Sequence, residues 1–572
     1  MEEPVHHSSN ESTSGPRTAL AWDSLENGQT VAVILAIILV AGVALRTYGL
    51  YGRSMWFDES QSWRVAQSPF AEMIARTCRD NHPPLFYVLL RAWMALFGES
   101  LFSLRNFSLA FSAMAMLGVY LFTVEAMRLG STCAQARDPH PLPLFQKETG
   151  PRPHPQSRSQ TERGTYVTFL QTQINGRWVG LVATALFAVS LPQIRAAWEI
   201  RMYSLGTALV MFSSWLLVRA LRTGPARALP WVQYMLVALL IAYTHYIAIF
   251  SLVAQCLFAL VFLTVQAGWN VKSLLKGAQF RWCAVAFTGM AVGWLPWLPV
   301  FLEQRRRTAE SWYRGVLSLN DVPAMCYEMF FPADVHGRQW SHEIVVTAVC
   351  GCLVLMLLWR AKAGQLLVAC MAVAPLALIT VASYAGTNLM IFRYFTFTQP
   401  FLLMAMAVAV ARIPIDWLRG FVAYLIVAAG LILHVDFVDA LDIPNRPGAR
   451  AAAAYIDSRR RPGEPVIGCS PLLMFPTLFH SRSRQGWFVY TDWPVIPFFA
   501  GGSMLADDEI LFEQQMQSLR TKRAWIVTTS GSWGCWGMFI PSHWTKTSEE
   551  RFPEVFACPT DVTIVCYEIP DG

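Results

Sequence analysis

Two adjacent acids, Asp58 and Glu59, stand in WFDES at residues 56–60, and His82 opens the HPPL stretch that follows. The acids come just after the first long apolar run, at residues 31–45, which puts them close to a bilayer surface. An ionised carboxylate is costly to keep there, so a chemical role is the first explanation to test. The plain alternative is a solvated loop start or a helix cap. The two prolines of HPPL end one element and start the next. The histidine before them suits a phosphate ligand, an acceptor contact or a cap.

One carboxylate is enough for one particular class of reaction. A glycosidase normally uses two, because its leaving alcohol must be protonated. A sugar esterified to a lipid phosphate needs only a base on the acceptor hydroxyl, since phosphate departs without a proton, and direct displacement inverts the anomeric carbon. The departing phosphate needs a cation, and arginine is always charged and can bond bidentately. IRMYSL supplies Arg201 and Tyr203, with Glu199 just before them. IFRYF supplies Arg393 and Tyr394, YTHY supplies His245 and Tyr246, and SLRNFS supplies Arg105. For Arg201 and Arg393 a phosphate role and a snorkelling anchor are both open. His245 fits a satisfied structural histidine, Arg105 an anchor, and Glu199 a partner for a nearby arginine.

The elements that must position these groups are membrane helices. The chain is 54% apolar and 15% charged, where a soluble protein carries about a quarter charged residues. Its 22 Trp and 35 Phe fit aromatic belts at two interfaces. The net charge of +7 does not point to nucleic acid, because the basic residues are scattered between apolar runs. About eleven spans are expected, starting near residues 31, 102, 178, 203, 231, 248, 283, 343, 365, 392 and 421. Basic loops alternate along the chain and place the amino terminus in the cytoplasm and the acid-bearing loop, residues 51–100, outside. Arg305, Arg306 and Arg307 conflict with this scheme unless they lie along the membrane. Within the loop, SPFAEMIARTC has the helical spacing of a segment lying on the interface. Residues 1–30 are expected to form a disordered cytoplasmic tail and residues 131–164 a disordered cytoplasmic insertion.

After residue 437 the composition changes to that of a small α/β domain, residues 438–572, which the topology places outside the membrane. GARAAAAYIDSRR and DDEILFEQQMQSLR have helical spacing; RAWIVTT, VTIVCYEI and the stretch around VIGCS have the apolar runs of buried strands. Cys469, Cys535, Cys558 and Cys566 lie there, as free thiols or in a disulfide.

The acid pair, then HPPLFYVLLRAWMALFGESLFSLRNFS, then IRMYSL and FRYFTFTQPFLLMAMA, resemble in order and spacing the membrane glycosyltransferases of the GT-C superfamily, which use polyprenyl-phosphate sugars. The likeness is greatest to the bacterial branch related to dolichyl-phosphate-mannose protein mannosyltransferases, with the aminoarabinose transferases of lipid A as further relatives. It covers about residues 31–437; the insertion at 131–164 is not typical. The resemblance implies a polytopic α-helical enzyme of the cell membrane, with Asp58 as catalytic acid/base. Glu59 would support the site or contact the acceptor, and His82 would match the family's HPP histidine. It implies a polyprenyl-phosphate donor and a protein, lipid or glycan acceptor. Some relatives bind a divalent metal, but nothing here has a tight ligand spacing, so neither a metal nor another cofactor is expected. A transporter or flippase of lipid-linked sugars would need midplane charges and two repeated halves. A membrane scaffold would tolerate loss of Asp58 and Arg201.

Overall fold

The structure, a computed structural model, describes residues 28–129, 175–224, 227–311, 315–331, 337–494, 496, 500–531, 535, 537–555 and 560–570. The insertion expected at 131–164, the tail before residue 28 and Cys558 lie outside the described residues. The chain is a multi-pass helical membrane protein carrying a small terminal sheet. Among the described residues, eight helices are long and apolar enough to cross a membrane, and a bent pair makes a ninth span. The expected starts at 231 and 392 correspond to two shorter apolar helices, Leu229–Ala242 and Gln399–Ala411. At about 1.5 Å per residue each is roughly 20 Å long, short of the ~30 Å hydrocarbon layer. Residues 392–397 are also not the start of a helix: they form a 3-10 turn, Phe392–Phe397, and the helix begins at Gln399.

The bent pair shows how local sequence shapes the site. Gly176–Val189 and Leu191–Trp198 meet at 58°. Pro192, at the start of the second helix, has no N–H for the carbonyl four residues back, and its ring crowds that carbonyl. Arg46 of the first span is fully buried beside the break. It donates to the released Ala188 carbonyl at 2.8 Å and to the Phe187 carbonyl at 3.2 Å. Gln193 then reaches Gln399 at 2.8 Å and the Thr396 carbonyl at 2.9 Å, while Gln399 reaches Ser190 at 2.7 Å. The bend therefore ties the segment carrying Glu199 and Arg201 to the 3-10 turn carrying Arg393.

The terminal sheet has six strands: β1 (Val466–Gly468), β2 (Trp487–Tyr490), β3 (Ile510–Leu511), β4 (Arg523–Thr528), β5 (Thr545–Pro553) and β6 (Asp561–Glu568). Their order is β3-β2-β1-β4-β6-β5, with β3 to β4 parallel and β6 antiparallel to both β4 and β5. The stretch expected as one helix from Asp507 is instead a 3-10 turn, β3 and a short helix, Glu513–Gln517. Pairing of Ile510 with Val489 of β2 overrides the helical spacing. Cys469, Cys535 and Cys566 form no disulfide among the described residues.

The sheet is not a separate body hung on the membrane part. One apolar core runs from Met55, Trp63 and Phe86 in the expected loop to Phe475, Val489, Trp525 and Ile564 in the sheet unit. The interfacial segment expected around Phe70 is a helix, Phe70–Arg79, whose buried face, Met73, Arg76 and Thr77, is held by its neighbours while Phe70 stays exposed. Arg76 donates to the Met504 carbonyl of the sheet unit, and Gln304 donates to the Thr77 carbonyl at 2.8 Å. Arg307, part of the basic run that conflicted with the charge pattern, donates to the carbonyls of Cys78 at 2.7 Å and Arg79 at 2.9 Å. It caps the end of that helix, where a cation is favoured.

Candidate active site

The acid pair opens a helix, Phe57–Gln67, with both carboxylates in its first turn, the end that favours negative charge. Neighbours on a helix point about 100° apart, and the two acids go to different partners. Glu59 turns inward. Its side chain and that of Arg105 are both 0% exposed. Arg105 Nε and Nη2 donate to its two oxygens at 3.1 and 2.8 Å, and the Trp56 N–H adds a third bond at 3.3 Å. Arg105 also donates to the carbonyls of Leu50 at 2.6 Å, Arg53 at 3.1 Å and Ser54 at 2.8 Å. The anchor expected at Arg105 is thus replaced by an internal brace. Glu59 is covered and turned toward Arg105.

Asp58 turns the other way and meets Arg393, Oδ2 to Nη1, at 2.6 Å. Their side chains keep 15% and 24% exposure, so this pair can be reached. Arg201 reaches the Asp58 carbonyl and Gln61 at 3.5 Å, and Ser62 at 3.4 Å. Its Nη2 lies 3.4 Å from His82 Nε2, and His82 Nδ1 lies 3.4 Å from Asp80 Oδ2. Gln61 and Tyr87 close the far side of Asp80 at 3.3 and 3.2 Å. His82, Arg201, Arg393 and Asp58, far apart in sequence, therefore form one chain of contacts.

Electrostatics separates the roles these groups can play. Burial pushes the Asp58 carboxyl up, but Arg393, Arg201 and His82 outweigh it and hold it below the ordinary carboxylate value. Burial and Arg201 push His82 down against the pull of Asp80 and Asp58. A neutral ring fits its contacts: Nδ1–H toward Asp80, Nε2 toward an Arg201 N–H. His245 is also held neutral, mainly by burial. Its Nδ1 accepts from the Ile247 N–H at 3.1 Å, which leaves the proton on Nε2. That nitrogen and Arg201 Nε are buried without hydrogen-bond partners among the described residues. His245 packs its ring 5.7 Å from His82, 5.8 Å from Tyr203 and 5.3 Å from Tyr394. Two orphaned N–H donors beside two guanidinium groups suit an anion.

Glu199 departs from expectation. Among the described residues no hydrogen bond or ion pair reaches it, and its Oε2 is fully covered. Burial raises its pKa to about 7 despite the field of Arg393. Asp80, the partner of His82, had no spacing signal in the sequence. Among the described residues no three His, Cys, Asp or Glu side chains gather as a metal-ligand group.

No family model matches the chain, and no curated protein matches it in sequence. Solved structures do. ArnT from Cupriavidus metallidurans bound to undecaprenyl phosphate aligns with a TM-score of 0.52 at 13% identity, over 94% of this chain and 98% of that one. The same protein in the apo state gives a TM-score of 0.56 at 12% identity with the same coverage. The oligosaccharyltransferase of Archaeoglobus fulgidus aligns over 77% of this chain and 59% of its own at a TM-score of 0.42, too low to add weight. With nearly all of both chains aligned, the likeness to ArnT takes in the membrane helices and the sheet unit together: this chain shares the fold of ArnT.

Proposed function

We propose that this protein is a membrane glycosyltransferase that moves a sugar, a mannose-like hexose or a relative, from a polyprenyl-phosphate donor to a hydroxyl-bearing acceptor. The alternating basic loops support a cytoplasmic amino terminus and a site at the outer face. The observation that carries the proposal is the contact between Asp58 and Arg393 at 2.6 Å, flanked by Arg201, within a fold shared with ArnT. One ArnT structure holds undecaprenyl phosphate, which supports the donor class.

In this scheme the acceptor oxygen attacks the anomeric carbon as the bond to the phosphate oxygen breaks, and that electron pair leaves with the phosphate. The acceptor proton passes to Asp58. A carboxylate this weakly basic takes the proton late, once the attacking oxygen has become acidic. Arg393 and Arg201 offset the charge growing on the phosphate, where preorganised donors are most effective. The N–H groups of His245 Nε2 and Arg201 Nε are further donors for the same anion, and Tyr203 lines the approach. Asp58 and Arg393 must part for each to meet its own substrate. Glu59 acts at one remove, holding the helix start through Arg105.

The test is transfer of labelled sugar from a synthetic polyprenyl-phosphate donor by purified protein. Asp58→Asn is expected to abolish transfer and leave donor binding in place. Transfer at the wild-type rate would remove Asp58 from the chemistry.

A further inference from the structure

We propose that Glu554 and His480, in the terminal sheet unit, are positioning residues that set the place of Asp58 by gripping the two residues that lead into its helix. The inference rests on the proposed role of Asp58 and gives the sheet unit a part in the chemistry itself.

The segment before the Phe57–Gln67 helix has no regular structure of its own, so its buried backbone groups must find partners elsewhere. Arg105 takes three of its carbonyls from the membrane side. The sheet unit binds further groups of the same stretch. Arg450 donates to the Tyr51 carbonyl at 3.2 Å and the Arg53 carbonyl at 2.9 Å. Ser54 Oγ lies 2.8 Å from both oxygens of Glu554, and the Met55 N–H donates to His480 Nε2 at 3.0 Å. Ser54 and Met55 are 1% and 0% exposed, so water cannot replace these bonds.

Both gripping groups are built for the task. Glu554 also accepts from the backbone N–H of Ala449 at 3.0 Å and Val555 at 2.8 Å, which fixes its carboxylate in place. Ala449 comes this close because Gly448 precedes it at φ +49°, and a Cβ on Gly448 would lie 2.0 Å from Glu554 Oε2. His480 must offer a lone pair to the Met55 N–H. Burial, with Arg450 and Arg105 nearby, lowers its pKa to about 3, so the ring stays neutral. The other contacts between the unit and the membrane part do not pass through these two residues. Trp63 packs edge-on against Phe479 at 5.0 Å, Arg64 pairs with Glu509, and Arg76 binds the Met504 carbonyl. Loss of Glu554 or His480 therefore frees the segment without releasing the unit.

Full-length Glu554→Ala, His480→Ala and Gly448→Ala proteins test this, the last displacing Glu554 without removing it. A misplacement of the base lowers kcat by about 10- to 100-fold with the donor KM within about twofold, because the phosphate ligands are untouched. Hydrogen exchange is expected to quicken in peptides spanning residues 53–60 and to stay unchanged in β4 and β6. Wild-type kcat in Glu554→Ala and His480→Ala would overturn the inference. So would faster exchange spread through β4 and β6, the mark of a loosened unit and not of a freed segment. Asp58→Asn, measured alongside, separates the two claims: if it still transfers sugar, the proposed base is wrong, while the exchange at residues 53–60 still decides whether the grip exists.

Discussion

Glu59→Ala and Asp58→Asn are expected to fail in opposite ways, although the two acids are neighbours. Glu59 and Arg105 are both sealed from solvent. Removing Glu59 leaves a buried guanidinium without its counter-charge, which costs about 3–5 kcal/mol. That is a large share of the roughly 5–15 kcal/mol by which a folded domain is stable. Glu59→Ala should therefore lower the unfolding temperature steeply, and any activity lost should follow the folded fraction. Asp58 sits in a pair with Arg393 that keeps some contact with solvent. Asp58→Asn keeps an oxygen for Arg393 and should unfold close to the wild-type temperature. Loss of a general base costs about 10²- to 10⁴-fold in rate, so its turnover should nearly vanish. Tryptophan fluorescence during heating in detergent, paired with transfer from a labelled donor, reads both quantities on one preparation. The reasoning is refuted if Glu59→Ala unfolds at the wild-type temperature, or if Asp58→Asn retains turnover.

Arg393→Lys removes the planar fork and leaves a point charge; a change of about 1.5–3 kcal/mol for a charged hydrogen bond corresponds to a loss of kcat/KM of roughly 10- to 100-fold, and unchanged kinetics would take Arg393 out of phosphate binding. Glu199 has a folded-state pKa raised from 4.5 to about 7, so between those values the folded protein holds more protons than the unfolded chain. Stability must then fall as pH rises through that window, and Glu199→Gln should flatten the fall; unfolding temperatures at pH 5.5 and 7.5 that change equally in both proteins would exclude it. Gly364→Ala places a Cβ 1.7 Å from the Ala126 carbonyl oxygen, which forces the Ala363–Tyr384 and Leu101–Arg128 helices apart at a cost of about 1–3 kcal/mol. A wild-type unfolding temperature would contradict that close approach.

Much of the fold was legible because apolar runs report spans directly. Ten of the eleven expected starts fall on a helix, including the one at residue 178 that Pro192 bends; the one at 392 falls on the 3-10 turn ahead of its helix. The bend itself was hidden, since its stability depends on Arg46, more than a hundred residues away. In the sheet unit, VIG, RAWIVT and the last strand were visible as apolar runs. β5 was not, because as an edge strand it is mostly exposed and reads TKTSEERFP. For the site, residue type and position singled out Asp58, His82, Arg201, Arg393 and His245, which the fold gathers. Residue type and spacing alone could not tell Asp58 from Glu59, and only the family resemblance favoured Asp58, because their different surroundings depend on which flank of the helix Arg105 occupies. It also could not reveal Glu554 or His480, about 500 and 425 residues from the segment they hold.

The contact between Asp58 and Arg393 has a consequence for the end of the catalytic cycle. Under the proposed chemistry the spent carrier, a polyprenyl phosphate, is held by the same guanidinium that Asp58 binds at 2.6 Å. Once Asp58 sheds its proton it becomes an internal competitor for Arg393, held beside it by the fold. The base that starts the transfer would thus also expel its lipid product. A protein lacking that carboxylate should hold polyprenyl phosphate more tightly than the intact one, and the off-rate of the carrier would report on Asp58 even where no sugar is transferred.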